Sequence, residues 1–207
     1  MALSGSGSDV TSSFITAAAA DTDGISTAAS ISGAANLTIG GALASGGSVT
    51  IDCPRNVTIL SAGDDSGITF TVTGTDESGT AITEVITGAD TGTATGSSFF
   101  QTVTQIATSG SSAGNVSAGS GTSCSGVISA SRCRLRGIYV VNGSGAATLK
   151  FREGSATGTI VMQFATVAGA STNSYPDIPD DGLLFKAGGY VTFTAVTDLT
   201  AMTTFFS

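Results

Sequence analysis

Fifteen carboxylates and no histidine set the terms of any chemistry this chain could perform. Without an imidazole, every triad or dyad built on a histidine base is excluded. A nucleophilic cysteine at Cys53, Cys124 or Cys133 would lack its usual base. No Gly-Lys-Ser/Thr phosphate loop occurs, and the glycines never assemble into a dinucleotide fingerprint after a strand. Paired carboxylates are what remain, as in glycoside hydrolysis. The candidates are Asp64/Asp65, Asp76/Glu77 and Asp180/Asp181, each beside Gly or Ser in an expected turn. Neighbouring acids in a turn or strand tend to point apart, so they seldom straddle a substrate. With no Trp and three Tyr, an aromatic platform for sugars is poorly supplied. No catalytic residue is assigned, and the chain is expected not to be an enzyme.

The same acids suit calcium better. Asp21-Thr-Asp23-Gly24 and Asp64-Asp65-Ser-Gly67 offer oxygen ligands with a turn-forming Gly, but neither continues into a twelve-residue loop closed by Glu. Asp and Gly are also what ordinary turns use, so no metal and no cofactor is expected. The three cysteines lack zinc-site spacing and the density of a disulfide scaffold. A Cys124–Cys133 bridge across a turn is open to them; free thiols in a reducing cytoplasm are the favoured expectation. The sequons at Asn36, Asn56, Asn115 and Asn142 are what a Ser/Thr-rich chain carries by chance.

Those groups are positioned by a chain of 207 residues with an unusual balance. Charged residues make up 11%, less than half the usual share, and Thr, Ser, Gly and Ala take their place. The net charge of −8 is concentrated in the first 131 residues, where Arg55 is the one base against ten acids. Such a surface repels nucleic acid and anionic membranes, so neither is an expected partner. Arg132, Arg134, Arg136, Lys150 and Arg152 form the basic exception, expected as the polar face of two neighbouring strands. No apolar run reaches the length of a membrane span, and the start has no charged-then-apolar leader pattern, so the expected site of synthesis is a cytoplasm.

Residues 1–30, rich in Ala, Ser, Gly and Thr, are expected to form an extended arm, or else a loosely held terminal strand. From Leu37 the pattern turns to period two. Ile68, Phe70 and Val72 alternate with Thr69, Thr71 and Thr73, so one face meets a core and the other carries threonines. Thr75-Asp-Glu-Ser-Gly79 reads as a hairpin turn, and Ile82–Thr87 as its return strand. Phe99–Thr108 follows. Ser109–Gly126 is Gly/Ser-rich and reads as turns, a short strand at Val116 and the best linker. The second half restarts the pattern at Leu135–Val141, Ala147–Arg152, Ile160–Phe164, Leu183–Phe185, Tyr190–Thr194 and Met202–Phe206. Short strands with frequent turns and no intervening helices predict an all-β fold. Two small antiparallel β-sandwich or jelly-roll-like modules are expected, over 31–126 and 127–207, behind the arm at 1–30.

Two stretches resemble structural proteins of tailed bacteriophage virions. The first is Pro54-Arg55-Asn56-Val57-Thr58-Ile59 running on through GITFTVTGTDESGTAITEVITGADTGTATGSSFFQTVTQI. The second is LRGIYVVNGSGAATLKFREGSATGTIVMQF followed by YPDIPDDGLLFKAGGYVTFTAV. The resemblance implies a head decoration (cement) protein made in the host cytoplasm and carried on the capsid surface. Its implied partners are the major capsid protein or other virion proteins and further copies of itself, with a trimer expected. It carries over no catalytic residue. A tail, collar or fibre component is the alternative, as is a surface carbohydrate- or receptor-binding module centred on Tyr139, Tyr175 or Tyr190.

Overall fold

The computed structural model describes residues 10–169, 172–194 and 198–207. Sixteen strands follow one another: β1 (Thr11–Ile15), β2 (Asp21–Ser30), β3 (Ala44–Ser45), β4 (Ser48–Asp64), β5 (Thr69–Thr75), β6 (Ala81–Thr87), β7 (Asp90–Thr95), β8 (Phe100–Thr108), β9 (Asn115–Ser129), β10 (Cys133–Asn142), β11 (Thr148–Glu153), β12 (Ile160–Ala165), β13 (Asn173–Ser174), β14 (Leu183–Phe185), β15 (Gly189–Phe193) and β16 (Leu199–Phe206). Their pairings are antiparallel, and the described residues contain no α-helix, as the period-two pattern predicts. The chain divides into a central unit, Ala18–Ser125, and a terminal unit, Met1–Ala17 with Gly126–Ser207.

The central unit orders its strands β9-β4-β8-β5-β6, with β2 on β9 and β3 and β7 on β4. The β5–β6 hairpin forms where expected, paired from Thr69↔Thr87 to Thr75↔Ala81. Gly79 accepts a φ of 79° in its turn, a conformation that side-chain-bearing residues adopt only with strain. Strand β4 joins two alternating stretches, Val49–Ile51 and Val57–Ile59, into one element of 17 residues. Its first part pairs with β8 and its last part with β7 and β9. Pro54 lies where the register slips between Thr50 and Arg55, because a residue without N–H cannot serve the ladder there. The core gathers Ile25, Val49, Val57, Ile59, Phe70, Val72, Phe100, Val103 and Ile106, all fully buried. Each large member contributes roughly 1.5–3 kcal/mol by leaving water.

Two expectations fail here. Ser109–Gly126 is no linker: Asn115–Ser129 is a single long strand, and Val116–Gly121 within it is entirely buried. Small residues are required because other chain segments press on it. A Cβ at Gly119 would lie 1.9 Å from the Asp21 carbonyl oxygen of β2. Of the two readings of residues 1–30, the extended arm is the one that fails, and the terminal strand is what the described residues form. Thr11–Ile15 pairs with β16 and Asp21–Ser30 with β9, while residues 1–9 lie outside the described residues. The division between units falls at 17/18 and 125/126, against the expected 30/31 and 126/127.

The terminal unit has two ladders. One runs β1-β16-β10-β13, with β14 also on β10; the other runs β12-β11-β15. Leu135, Val140, Leu149, Phe151, Phe185, Val191 and Met202 are among its fully buried apolar side chains. The basic cluster is divided between these ladders. Arg134 and Arg136 lie on β10 and Lys150 and Arg152 on β11, so they do not form the face of two paired strands.

Candidate functional site

Each acid pair separates in the way adjacent residues in a turn dictate. The Asp64 carboxylate accepts hydrogen bonds from the Ser66 hydroxyl and N–H, at 2.6 and 3.1 Å, and those donors hold its pKa below the ordinary value. Asp65 turns inward instead. It is buried, and one of its oxygens accepts the Ala113 N–H at 2.8 Å. Asp76 accepts from the N–H groups of Ser78 and Thr80, closing the hairpin turn. Beside it Glu77 is half-buried, and burial raises its pKa. Asp180 and Asp181 are exposed, and it is their backbone carbonyls that accept Arg136 and Arg134. In the Asp21–Gly24 segment the Asp21 carboxylate accepts the Asp23 N–H. Among the described residues no three His, Cys, Asp or Glu side chains gather closely enough to hold a metal ion.

The cysteines depart from expectation. Cys53 of β4 and Cys124 of β9 are joined, with Cα atoms 6.3 Å apart, while Cys133 is a buried free thiol. No Cys124–Cys133 bridge forms, because β4 and β9 lie side by side and bring residue 53 to residue 124. The sequence separation of 71 residues hides that pairing from any local reading. Burial raises the pKa of the Cys133 thiol, which removes thiolate character and with it nucleophilicity.

One polar group is unusual. Arg55, the single base of the acidic region, is 1% exposed. Its guanidinium donates to Asp52 at 2.9 Å and to the carbonyls of Ala18 and Ala19 at 2.6 and 3.3 Å. The Asp52 carboxylate also accepts the Ala18 N–H. This pair pins Ala18 and Ala19 along one wall of a groove of about 920 Å³, lined also by Leu43, Ile51, Gln101 and Ser120. The guanidinium is occupied by the chain's own groups, and its free Nε is enclosed. Arg55 therefore offers the groove no spare cation, and the charges left on its wall are the carboxylates of Asp21 and Asp52. Nothing in the sequence flags Arg55 as buried except its isolation among acids.

The terminal unit carries the opposite kind of feature. On the solvent face of its first ladder, Phe14 stands beside Thr203, which stands beside Tyr139. In the next row Ser12 stands beside Phe205, whose ring lies over Gly137. The rings of Tyr139 and Tyr175 meet at 5.1 Å, tilted by 50°. Phe14 and Tyr175 are each 66% exposed. Of the three tyrosines named as a binding surface, two are thus brought together and the third, Tyr190, is buried. Phe14 and Phe205 were missed because neither sits in a motif; only strand pairing puts them on one face.

No family model, no curated protein and no solved structure matches the chain.

Proposed function

We propose that the chain is a structural protein of a virion, in its most specific form a head decoration protein that binds and stabilises the capsid shell. The observation that carries the structural reading is how its reactive groups are used. Acids close turns, the lone buried arginine ties down its own backbone, and two of three thiols are joined. Among the described residues no three acids or thiols gather at one point, and the acids on the groove wall, Asp21 and Asp52, accept the chain's own N–H groups, whereas apolar rings are left facing solvent. Such a distribution suits adhesion to other subunits and not the transformation of a small molecule. The virion reading itself rests on the likeness to phage β-modules of two stretches that together cover most of residues 54–195. Added to undecorated heads, the purified protein binds saturably and raises the temperature at which they rupture; no saturable binding, or binding without added heat resistance, removes the decoration role.

A glycan-binding module is the second reading, favoured by the contact of Tyr139 with Tyr175. The 50° tilt of their rings gives a sugar no flat platform. Silence on a glycan array discards it.

A further inference from the structure

We propose that the terminal unit associates with a second copy of itself through β1, edge to edge and antiparallel, with Phe14 and its neighbours forming the apolar part of the contact. The inference does not depend on the virion reading, since it concerns what two copies of this chain do alone.

Strand β1 ends its ladder, so among the described residues one whole row of its N–H and C=O groups has no strand partner. Natural edges are usually blunted by a lysine, a proline, a bulge or an inward charge. Thr11-Ser12-Ser13-Phe14-Ile15 has none of these, and its pairing with β16 is regular throughout. The edge strand β6 of the central unit is different. There Glu84 reaches across to accept the N–H groups of Ser97 and Ser98, placing a charged, chain-bonded group on that strand.

The partner is a second copy because the strand suits its own reverse. An antiparallel pair centred on Ser13 uses all five residues and sets Phe14 opposite Ser12 of the other copy. Residues 12 and 14 share the outer face on both sides, so the rows of the two sheets continue without a change of face. Each ring then meets a small side chain directly and the other Phe14 on the diagonal, the spacing over which aromatic side chains still touch. Charge points the same way. The central unit holds nine acids and one base, so two such surfaces repel, whereas the terminal unit balances six acids with six bases. Phe14, Thr203, Tyr139, Ser12, Phe205 and Gly137 include no charged side chain.

The area predicts a weak, reversible pair. Phe14 and Val10, the exposed apolar side chains at this edge, at 66 and 46% exposure, present about 200 Å² per copy if a full aromatic side chain offers roughly 200 Å². That lies well below a standard permanent interface, so the backbone hydrogen bonds of the added strand carry much of the contact.

Sedimentation equilibrium of the full chain between about 1 and 100 µM decides the matter, this being the range expected of an interface of that size. The mass rises with concentration toward twice the 20.1 kDa of one chain and stops there. Phe14→Lys stays at the mass of one chain throughout, with its thermal midpoint by tyrosine fluorescence unchanged. Val85→Lys, on exposed β6, still doubles. Independently, Ser13→Cys yields a linked dimer on oxidation, because the central register brings the two copies of residue 13 within disulfide range. A mass fixed at one chain, growth to three copies or more, or doubling retained by Phe14→Lys overturns the proposal, as does Ser13→Cys that doubles without linking.

Discussion

The central and terminal units solve the same problem, an all-β fold with few charges, by different means. The central unit has no tyrosine and three phenylalanines, carries all of the chain's net charge and is tied by the Cys53–Cys124 link and the buried Arg55–Asp52 pair. The terminal unit is electrically neutral, holds ten of the thirteen aromatic residues and, among the described residues, has no link between strands beyond packing and hydrogen bonds. Where aliphatic side chains and small residues fill a core, covalent and ionic fasteners supplement it. Where aromatic residues are plentiful, the core stands without them and rings are left over for the surface. Because every tyrosine belongs to the terminal unit, tyrosine fluorescence reports on that unit alone, while far-UV circular dichroism reports on both.

Removing the disulfide should produce the largest effect. Closing a loop of 71 residues restricts the unfolded chain by about 4 kcal/mol in the loop-entropy account. Reduction, or Cys53→Ser with Cys124→Ser, is expected to lower the dichroism midpoint steeply and leave the tyrosine midpoint in place. Thiol titration of the unfolded, unreduced chain finds one group, Cys133, and three after reduction. A tyrosine midpoint that falls equally far would erase the contrast between the units.

Arg55→Met comes next, at about 3 kcal/mol. Truncating one member of a buried pair leaves the other without its counter-charge. The loss is no larger because Asp52 is 38% exposed and regains water. The carbonyls of Ala18 and Ala19 lose their donors as well. The matching change in the terminal unit, Arg136→Met, removes an exposed side chain and is expected to shift stability by no more than about 0.5 kcal/mol. Urea unfolding of the two variants, followed by dichroism, compares them. Equal losses would mean that Arg55 is no fastener.

What could be read in advance follows the same division of means. Alternation of Ile68, Phe70 and Val72 with threonines reports burial one residue at a time, so β5 and its hairpin to β6 were legible. The same holds for β10, β11 and β15, whose aromatic and β-branched residues mark the inner face. Strand β9 was not legible, because Ser117-Ala118-Gly119-Ser120-Gly121 is buried for lack of bulk rather than for hydrophobicity. Only the proximity of Asp21 to Gly119 and of Asn56 to Gly121 explains its composition, and both contacts span more than sixty residues. Asp64 and Asp76 were legible as turn formers through the local Asp-x-Ser and Asp-x-x-x-Thr bonds. Neither the Cys53–Cys124 link nor the aromatic face was, since each depends on which strands lie side by side.

An effect smaller than that of Arg55→Met and opposite in sign tests whether packing in the terminal unit is as complete as its lack of fasteners suggests. Thr204 of β16 is fully buried on the inner face, between Ser13 of β1 and Ile138 of β10, and its hydroxyl has no hydrogen-bond partner among the described residues. Burying an unpaired hydroxyl costs roughly 1–3 kcal/mol relative to leaving it in water. Valine has nearly the same shape and no such cost, and its β-branch keeps the strand preference. Thr204→Val is therefore expected to stabilise the terminal unit by about 1 kcal/mol, raising the tyrosine-fluorescence midpoint and leaving the reductant-sensitive part of the dichroism transition unmoved. Loss of stability instead would mean that the hydroxyl is bonded, and that the terminal unit, like the central one, depends on a polar tie within its core.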